Sequence, residues 1–147
     1  MKKIYGVLVL VLGVVLLTGC GGEKSNGFKC TATAEEDGQK AEVTFDVTTD
    51  DDGKVKTADV TFDYESKDYA DRTVSTINFI NAYYDDENKI EFKQDGKKII
   101  IKNYEKLSAL NDNEDDEDSI GNIVGLTKDE LQKAINKMPS ASNVSCK

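Results

Sequence analysis

Two stretches of strict alternation, one on each side of an acidic turn, constrain this chain more than any other feature. Ala41, Val43, Phe45 and Val47 alternate with Glu42, Thr44, Asp46 and Thr48, and Ala58, Val60, Phe62 and Tyr64 alternate with Thr57, Asp59, Thr61 and Asp63. Successive side chains of a strand point to opposite faces, so a period of two predicts strands with one buried and one wetted face. Between the two runs, Asp50, Asp51, Asp52 and Gly53 tolerate the backbone angles of a tight reversal. A further short strand is expected over 28–33, ended by the turn residues Glu36, Asp37 and Gly38. These segments predict an antiparallel meander whose single apolar face needs a cover.

That cover is expected to be helical. Ala70, Val74, Ile77, Ile80 and Tyr84 recur at spacings of three and four, one face of a helix over 68–84. The β-branched Thr73, Val74, Thr76, Ile77 and Ile80 weaken its propensity and leave a partial strand as the alternative. A second hairpin is predicted from 90–94, the turn pair Asp95-Gly96 and a return strand over 97–104. Three consecutive isoleucines, Ile99 to Ile101, suit a strand covered on both faces and central in the sheet. The last helix carries the clearest local signals. Thr127 and Glu130 form a capping box, Leu126 and Leu131 are placed for a hydrophobic staple, and Leu131, Ala134, Ile135 and Met138 make the apolar stripe. Pro139 stops the helix, and a tail over 140–147 brings Cys146 back toward the sheet. The expected fold class is α+β: a mostly antiparallel sheet of about five strands with two helices packed on one face, a single domain over 28–147.

The residues before that domain read as an address. Lys2 and Lys3 precede an uncharged, mostly apolar run over 4–17. Fourteen residues of helix span about 21 Å, short of the roughly 30 Å hydrocarbon core, so a permanent membrane span is the weaker reading and a secretory signal the stronger. Leu17-Thr18-Gly19-Cys20 resembles the lipobox of exported bacterial lipoproteins; an ordinary secretory signal with an accidental cysteine is the bland alternative. The resemblance implies that a diacylglyceryl group is attached to the Cys20 sulfur and that residues 1–19 are removed as a signal peptide. Two acyl chains hold a protein stably on a membrane where one does so only marginally. Residues 20–27, rich in Gly with Ser and Asn, would be a flexible tether. The expected location is the extracytoplasmic face of the cell membrane.

With Cys20 modified, Cys30 and Cys146 remain, an even count in an oxidising compartment. A disulfide joining the first strand to the C-terminus is the main expectation, with free thiols as the alternative. A lone distant pair lacks the Cys-x-x-Cys spacing of redox sites and the four ligands of structural zinc.

Composition excludes several kinds of chemistry. Among 147 residues there are 19 basic and 28 acidic side chains and no histidine, for a formal charge of −9. Absence of imidazole removes Ser-His-Asp and Cys-His catalysis and histidine-ligated metals. The negative charge disfavours nucleic acid and anionic lipid headgroups as partners.

The remaining candidates each have a structural explanation. Thr48, Asp50, Asp52, Gly53 and Asp59 fall at positions 1, 3, 5, 6 and 12 of a calcium loop, but Thr replaces Asp at the first position and the bidentate Glu is missing at the last. Strands also flank this segment where a calcium loop needs helices. The block over 111–118 holds six carboxylates in eight residues and reads as a solvated loop with at most loose cation binding. Elsewhere the carboxylates fall at turns or on wetted faces, without the apolar pocket that would keep one protonated for glycoside chemistry. Tyr69, Phe79, Tyr83 and Tyr84 gather in one predicted helix, with Phe79 opposite the apolar stripe; exposed rings of this kind can mark a contact patch.

The order of parts is similar to the small YehR-like lipoproteins of bacteria. The likeness is carried by the lipobox, Phe28, the run Val43-Thr44-Phe45-Asp46-Val47 leading to Gly53-Lys54-Val55, Phe62, Ala82-Tyr83-Tyr84, the hairpin over 90–104 and the helix over 128–138. The Cys30 and Cys146 pair and the acidic insert lie outside that pattern. The resemblance implies an α+β fold and carries over no active-site residue. The expected function is therefore a non-catalytic, membrane-anchored binding or interaction module without cofactor or metal. It would engage an envelope component through Phe79 and Tyr83. A small-ligand carrier or accessory subunit of an envelope transport system, holding a solute between sheet and helices, is the alternative.

Overall fold

The computed structural model describes residues 26–110 and 121–147. Within them the chain runs β1 (Gly27–Glu36), β2 (Gln39–Thr49), β3 (Val55–Tyr64), α1 (Lys67–Asn81), a single 3-10 turn (Asp86–Asn88), β4 (Phe92–Asp95), β5 (Lys98–Ile101), α2 (Tyr104–Leu110), α3 (Lys128–Lys137) and β6 (Ala141–Cys146). The strands form one antiparallel sheet in the order β4-β5-β3-β2-β1-β6. The fold is α+β, with one strand and one helix more than the sequence led us to expect. The additional strand is the 140–147 tail, and the additional helix starts at Tyr104, inside what was expected to be a strand.

The long strands follow their alternation. In β2, Ala41, Val43, Phe45 and Val47 are buried, while Glu42, Asp46 and Thr48 face water. The register sets them opposite Tyr64, Phe62, Val60 and Ala58, so one apolar face continues across β2 and β3. β1 is longer than expected because it pairs on both sides, with β2 along its whole length and with β6 over Cys30 to Ala34, across a register shift between Thr31 and Thr33. Its turn to β2 is Asp37-Gly38, with φ of 50° and 73°. Positive φ at both central residues is the geometry that matches the twist of a two-residue hairpin. The second hairpin slides by one residue from its expected place: Asp95 pairs with Lys98, so Gly96 and Lys97 make the turn.

Two apolar clusters lie on the covered face. In the first, Leu131 and Ile135 of α3 and Ile123 pack on Cys30, Ala32, Val43, Phe45 and Val60. In the second, Ala70 and Ile77 of α1 pack on Ala41, Tyr64, Ile99 and Ile101. Tyr104 of α2 touches both clusters and meets Phe45 edge to face at 5.9 Å between ring centres. Only Ile99 and Ile101 of the isoleucine run are buried in the core. Ile100 lies on the other face of β5, which none of the described helices covers, and is only partly buried, where coverage on both faces was expected. The α1 stripe is also shorter than its spacing implied: the helix ends at Asn81 and Tyr84 is exposed.

The helix starts are local. Ser66 caps α1 by accepting from the Tyr69 N–H, and Thr127 and Glu130 form the full reciprocal capping box of α3. Leu126 packs against the cluster that buries Leu131, as the staple predicts.

Candidate functional site

The two cysteines meet. Cys30 and Cys146 lie directly opposite each other on β1 and β6, with Cα atoms 4.0 Å apart, and are joined as a disulfide. Lys29 and Lys147 exchange both backbone hydrogen bonds one residue along, so the cysteines occupy the neighbouring pair that makes none. At such positions opposing side chains approach most closely, which suits a cross-strand bridge. Cys30 is fully buried in the core, so this bond fastens the edge strand to the hydrophobic interior.

The calcium-loop candidate is a β-turn. Asp50 Oδ1 accepts from the Asp52 and Lys54 N–H groups at 3.0 and 2.9 Å, so this carboxylate organises the reversal. Asp59 is drawn away from the loop by Lys102 and by the Asn103 N–H. Among the described residues no group of three or more His, Cys, Asp or Glu side chains could hold a metal ion, and no helix is long and apolar enough to cross a membrane. Cys20, the signal and tether segments and the acidic block over 111–118 lie outside the described residues, apart from Asn26 and Gly27.

The expected aromatic group divides. Tyr69 turns inward, 5.3 Å from the Tyr64 ring, and its hydroxyl reaches Glu36. Burial, followed by the nearby Glu36 charge, pushes the Tyr69 hydroxyl above its ordinary pKa. Phe79 and Tyr83 turn outward. They contact each other edge to face at 5.1 Å, yet remain 65% and 76% exposed, and Tyr84 beside them is 42% exposed. The helix dictates this: Ala70 and Ile77 take the buried side, and Phe79 two residues on falls about 200° around the axis. Asn81 fixes the end of the helix, since its side-chain amide donates to the Ile90 carbonyl at 3.0 Å and accepts the Ile90 N–H at 2.7 Å.

The uncovered sheet face carries charge that the alternation placed there but whose pairing it did not reveal. Glu42 faces Asp63 and Asp46 faces Asp59 directly across β2 and β3, two like-charge oppositions of a kind that destabilises a sheet. Lysines offset them from outside: Lys29 on Asp46 at 2.9 Å, Lys102 on Asp59, and Lys97 and Lys98 on Asp63 at 3.3 Å each. Burial pushes the Asp63 carboxyl up, but its ion pairs with Lys97 and Lys98 outweigh that and hold it below the ordinary range. Lys40, Glu42, Asp63 and Lys97 line a shallow, charged depression of about 300 Å³. On the covered face, a half-open apolar crevice of about 70 Å³ lies between Phe62, Tyr104, Ile135 and Met138 over a floor that includes Ala32 and Ala34.

Sequence reasoning missed the buried polar pair of α2. Glu105 accepts the Ala58 N–H, and Ser108 Oγ donates to the Glu105 carbonyl and accepts the Ile123 N–H. No sequence signal marks them, because their partners lie in other elements. A comparison with known proteins finds no matching family model, no similar curated protein and no similar solved structure.

Proposed function

We propose that the protein is a lipid-anchored, extracytoplasmic binding module of the YehR-like lipoprotein kind, held to the membrane through Cys20, that engages a macromolecular partner and performs no chemistry. The observation that carries the binding reading is the Phe79–Tyr83 ring pair at the end of α1, exposed to water while Ala70 and Ile77 of that helix are buried. Aromatic side chains supply large contact area for little conformational entropy and dominate interface hot spots. The lipobox-like Leu17-Thr18-Gly19-Cys20 supports the anchor. A disulfide between Cys30 and Cys146 suits an oxidising compartment.

The carrier reading has less support. Small-molecule sites enclose about 300–1,000 Å³ of mostly apolar space. The crevice between sheet and helices offers about 70 Å³. The polar depression reaches about 300 Å³ but is half open and lies on the uncovered face.

Two measurements test the proposal. The Cys20→Ser variant is expected in the culture medium, and its retention in salt-washed membranes would refute the lipid anchor. A photo-crosslinking residue placed at Tyr83 in the living host is expected to give one discrete adduct, and its absence would refute the contact surface.

A further inference from the structure

We infer that the aromatic end of α1 receives a basic amphipathic segment of a partner protein. This inference rests on the proposed reading of Phe79 and Tyr83 as a contact surface and names the chemistry of what sits there.

Charge beside the rings carries the argument. Immediately after Tyr83 and Tyr84 come Asp85, Asp86 and Glu87, all exposed. Lys89 pairs with Asp86, and its hydrogen bond and charge hold that carboxyl below the ordinary range. Neither Asp85 nor Glu87 has an ionic partner among the described residues. Two uncompensated carboxylates therefore flank an exposed aromatic pair. Ring faces attract ammonium and guanidinium groups, and the carboxylates add a charge partner for the same cation. A segment with apolar side chains on one side and Lys or Arg on the other satisfies both halves of the surface.

The position of this surface argues against a bilayer as its occupant. α1 begins beside Tyr64, where Tyr69 packs, and ends where Asn81 grips Ile90. Glu91, next to Ile90, accepts the Lys102 N–H just beyond the end of β5, so α1 runs back along β3 toward its start. Gly27 and the Asp50–Gly53 turn lie at that same end, since Gly27 pairs with Thr48 and the Thr49 N–H bonds to the Asn26 carbonyl. Two acidic turns, Asp50 to Asp52 and Asp85 to Glu87, thus lie at the same end of the sheet as Asn26 and Gly27. Acidic turns are repelled by anionic headgroups, and the Asp85–Glu87 turn beside the rings is the one that draws a cationic protein segment onto them. The grip of Asn81 on Ile90 holds the surface in place beforehand, which lowers the ordering cost of binding.

The test uses the full-length protein in neutral detergent and a fluorescent peptide of Lys and Leu, about four helical turns long with its leucines on one face. Binding is expected to weaken about tenfold for Phe79→Ala with Tyr83→Ala, the scale of hot-spot truncation. Asp85→Asn with Glu87→Gln is expected to weaken it about threefold and to flatten its salt dependence. Asp51→Asn with Asp52→Asn, an equal charge change on the other turn, is expected to leave it unchanged. Equal loss from both carboxylate pairs would overturn the inference, because net charge alone would then explain binding. So would equal binding of a peptide with Glu in place of Lys. Ring-dependent capture by phosphatidylcholine vesicles together with ring-independent peptide binding would assign the surface to lipid and also overturn it. If no peptide binds while the crosslink at Tyr83 persists, the basic partner is refuted and the contact surface stands.

Discussion

The carboxylate of Glu105 accepts the backbone N–H of Ala58 at 2.9 Å, across 47 residues of sequence. β5 pairs with β3 only from Val60 to Asp63, so beyond Val60 the outer edge of β3 has lost its neighbouring strand. Glu105, which takes the Ala58 N–H, and the loop at Gly125 and Leu126, which exchanges bonds with the Val55 backbone, replace that strand. Buried backbone donors are nearly always paired, and this is how the edge satisfies them.

Glu105→Ala is therefore expected to destabilise the fold by about 1–3 kcal/mol, the cost of a buried donor left without a partner. Glu105→Gln keeps an acceptor oxygen and is expected to lose less. Urea unfolding of the two variants checks the order. Equal losses would mean that the side chain matters by its bulk and not by its acceptor.

Removing the disulfide should act mainly on the unfolded chain. Cys30 and Cys146 are 116 residues apart, and a loop of that size corresponds to about 4.7 kcal/mol in chain-entropy terms, with measured values commonly about 2–5 kcal/mol. Cys30→Ala with Cys146→Ala is expected to lower the urea midpoint accordingly. Intact mass of the native protein should rise by about 2 Da on reduction, the two hydrogens added when a disulfide is reduced to thiols.

The exposed rings at the end of α1 and the buried positions within it should respond differently. Phe79→Ala with Tyr83→Ala is expected to change stability by no more than about 0.5 kcal/mol, as for exposed substitutions. Ile77→Ala, at a buried position of the same helix, should cost about 2–5 kcal/mol. Calorimetric melting of both variants decides the matter. A large loss for the ring variant would place those rings in the core and remove the contact surface.

Acid should weaken the fold through four carboxylates held below their ordinary values. Asp71 is lowered by hydrogen bonds from Lys67 and Gln94, Asp86 by Lys89, and Glu130 by the Thr127 backbone and hydroxyl. In Asp63, burial acts upward but Lys97 and Lys98 prevail. A carboxyl with a lower pKa folded than unfolded binds fewer protons in the folded state, so stability rises with pH in that range. Its contribution is complete above the unfolded values, near 3.8 for Asp and 4.5 for Glu, and is lost as pH falls through the folded ones. Urea midpoints are expected to be level from neutral pH down to about 5 and to fall below it. With no histidine in the chain, a step between about pH 6 and 7 would contradict this assignment.

What the sequence determined by itself was whatever depends on neighbours along the chain. Period-two alternation set the buried face of β2 and β3, Asp37-Gly38 and Asp51-Asp52-Gly53 set the first two reversals, Thr127 with Glu130 set the start of α3, and helical spacing put Phe79 on the outer side. Each of these is decided within a few residues. Tertiary structure decided the rest. The tail 140–147 has no strand pattern of its own, and it is a strand because β1 offers a free edge and Cys30 holds Cys146 against it. The segment after Ile101 looked like more strand, yet Tyr104 turns into a helix because its ring fills the gap between the two apolar clusters. Glu105 and Ser108 could not be recognised in advance, because their partners, Ala58 and Ile123, become neighbours only when the sheet edge and α2 come together. Local rules reach one hairpin or one helical turn, whereas a free strand edge or an orphaned N–H exists only once distant segments have met.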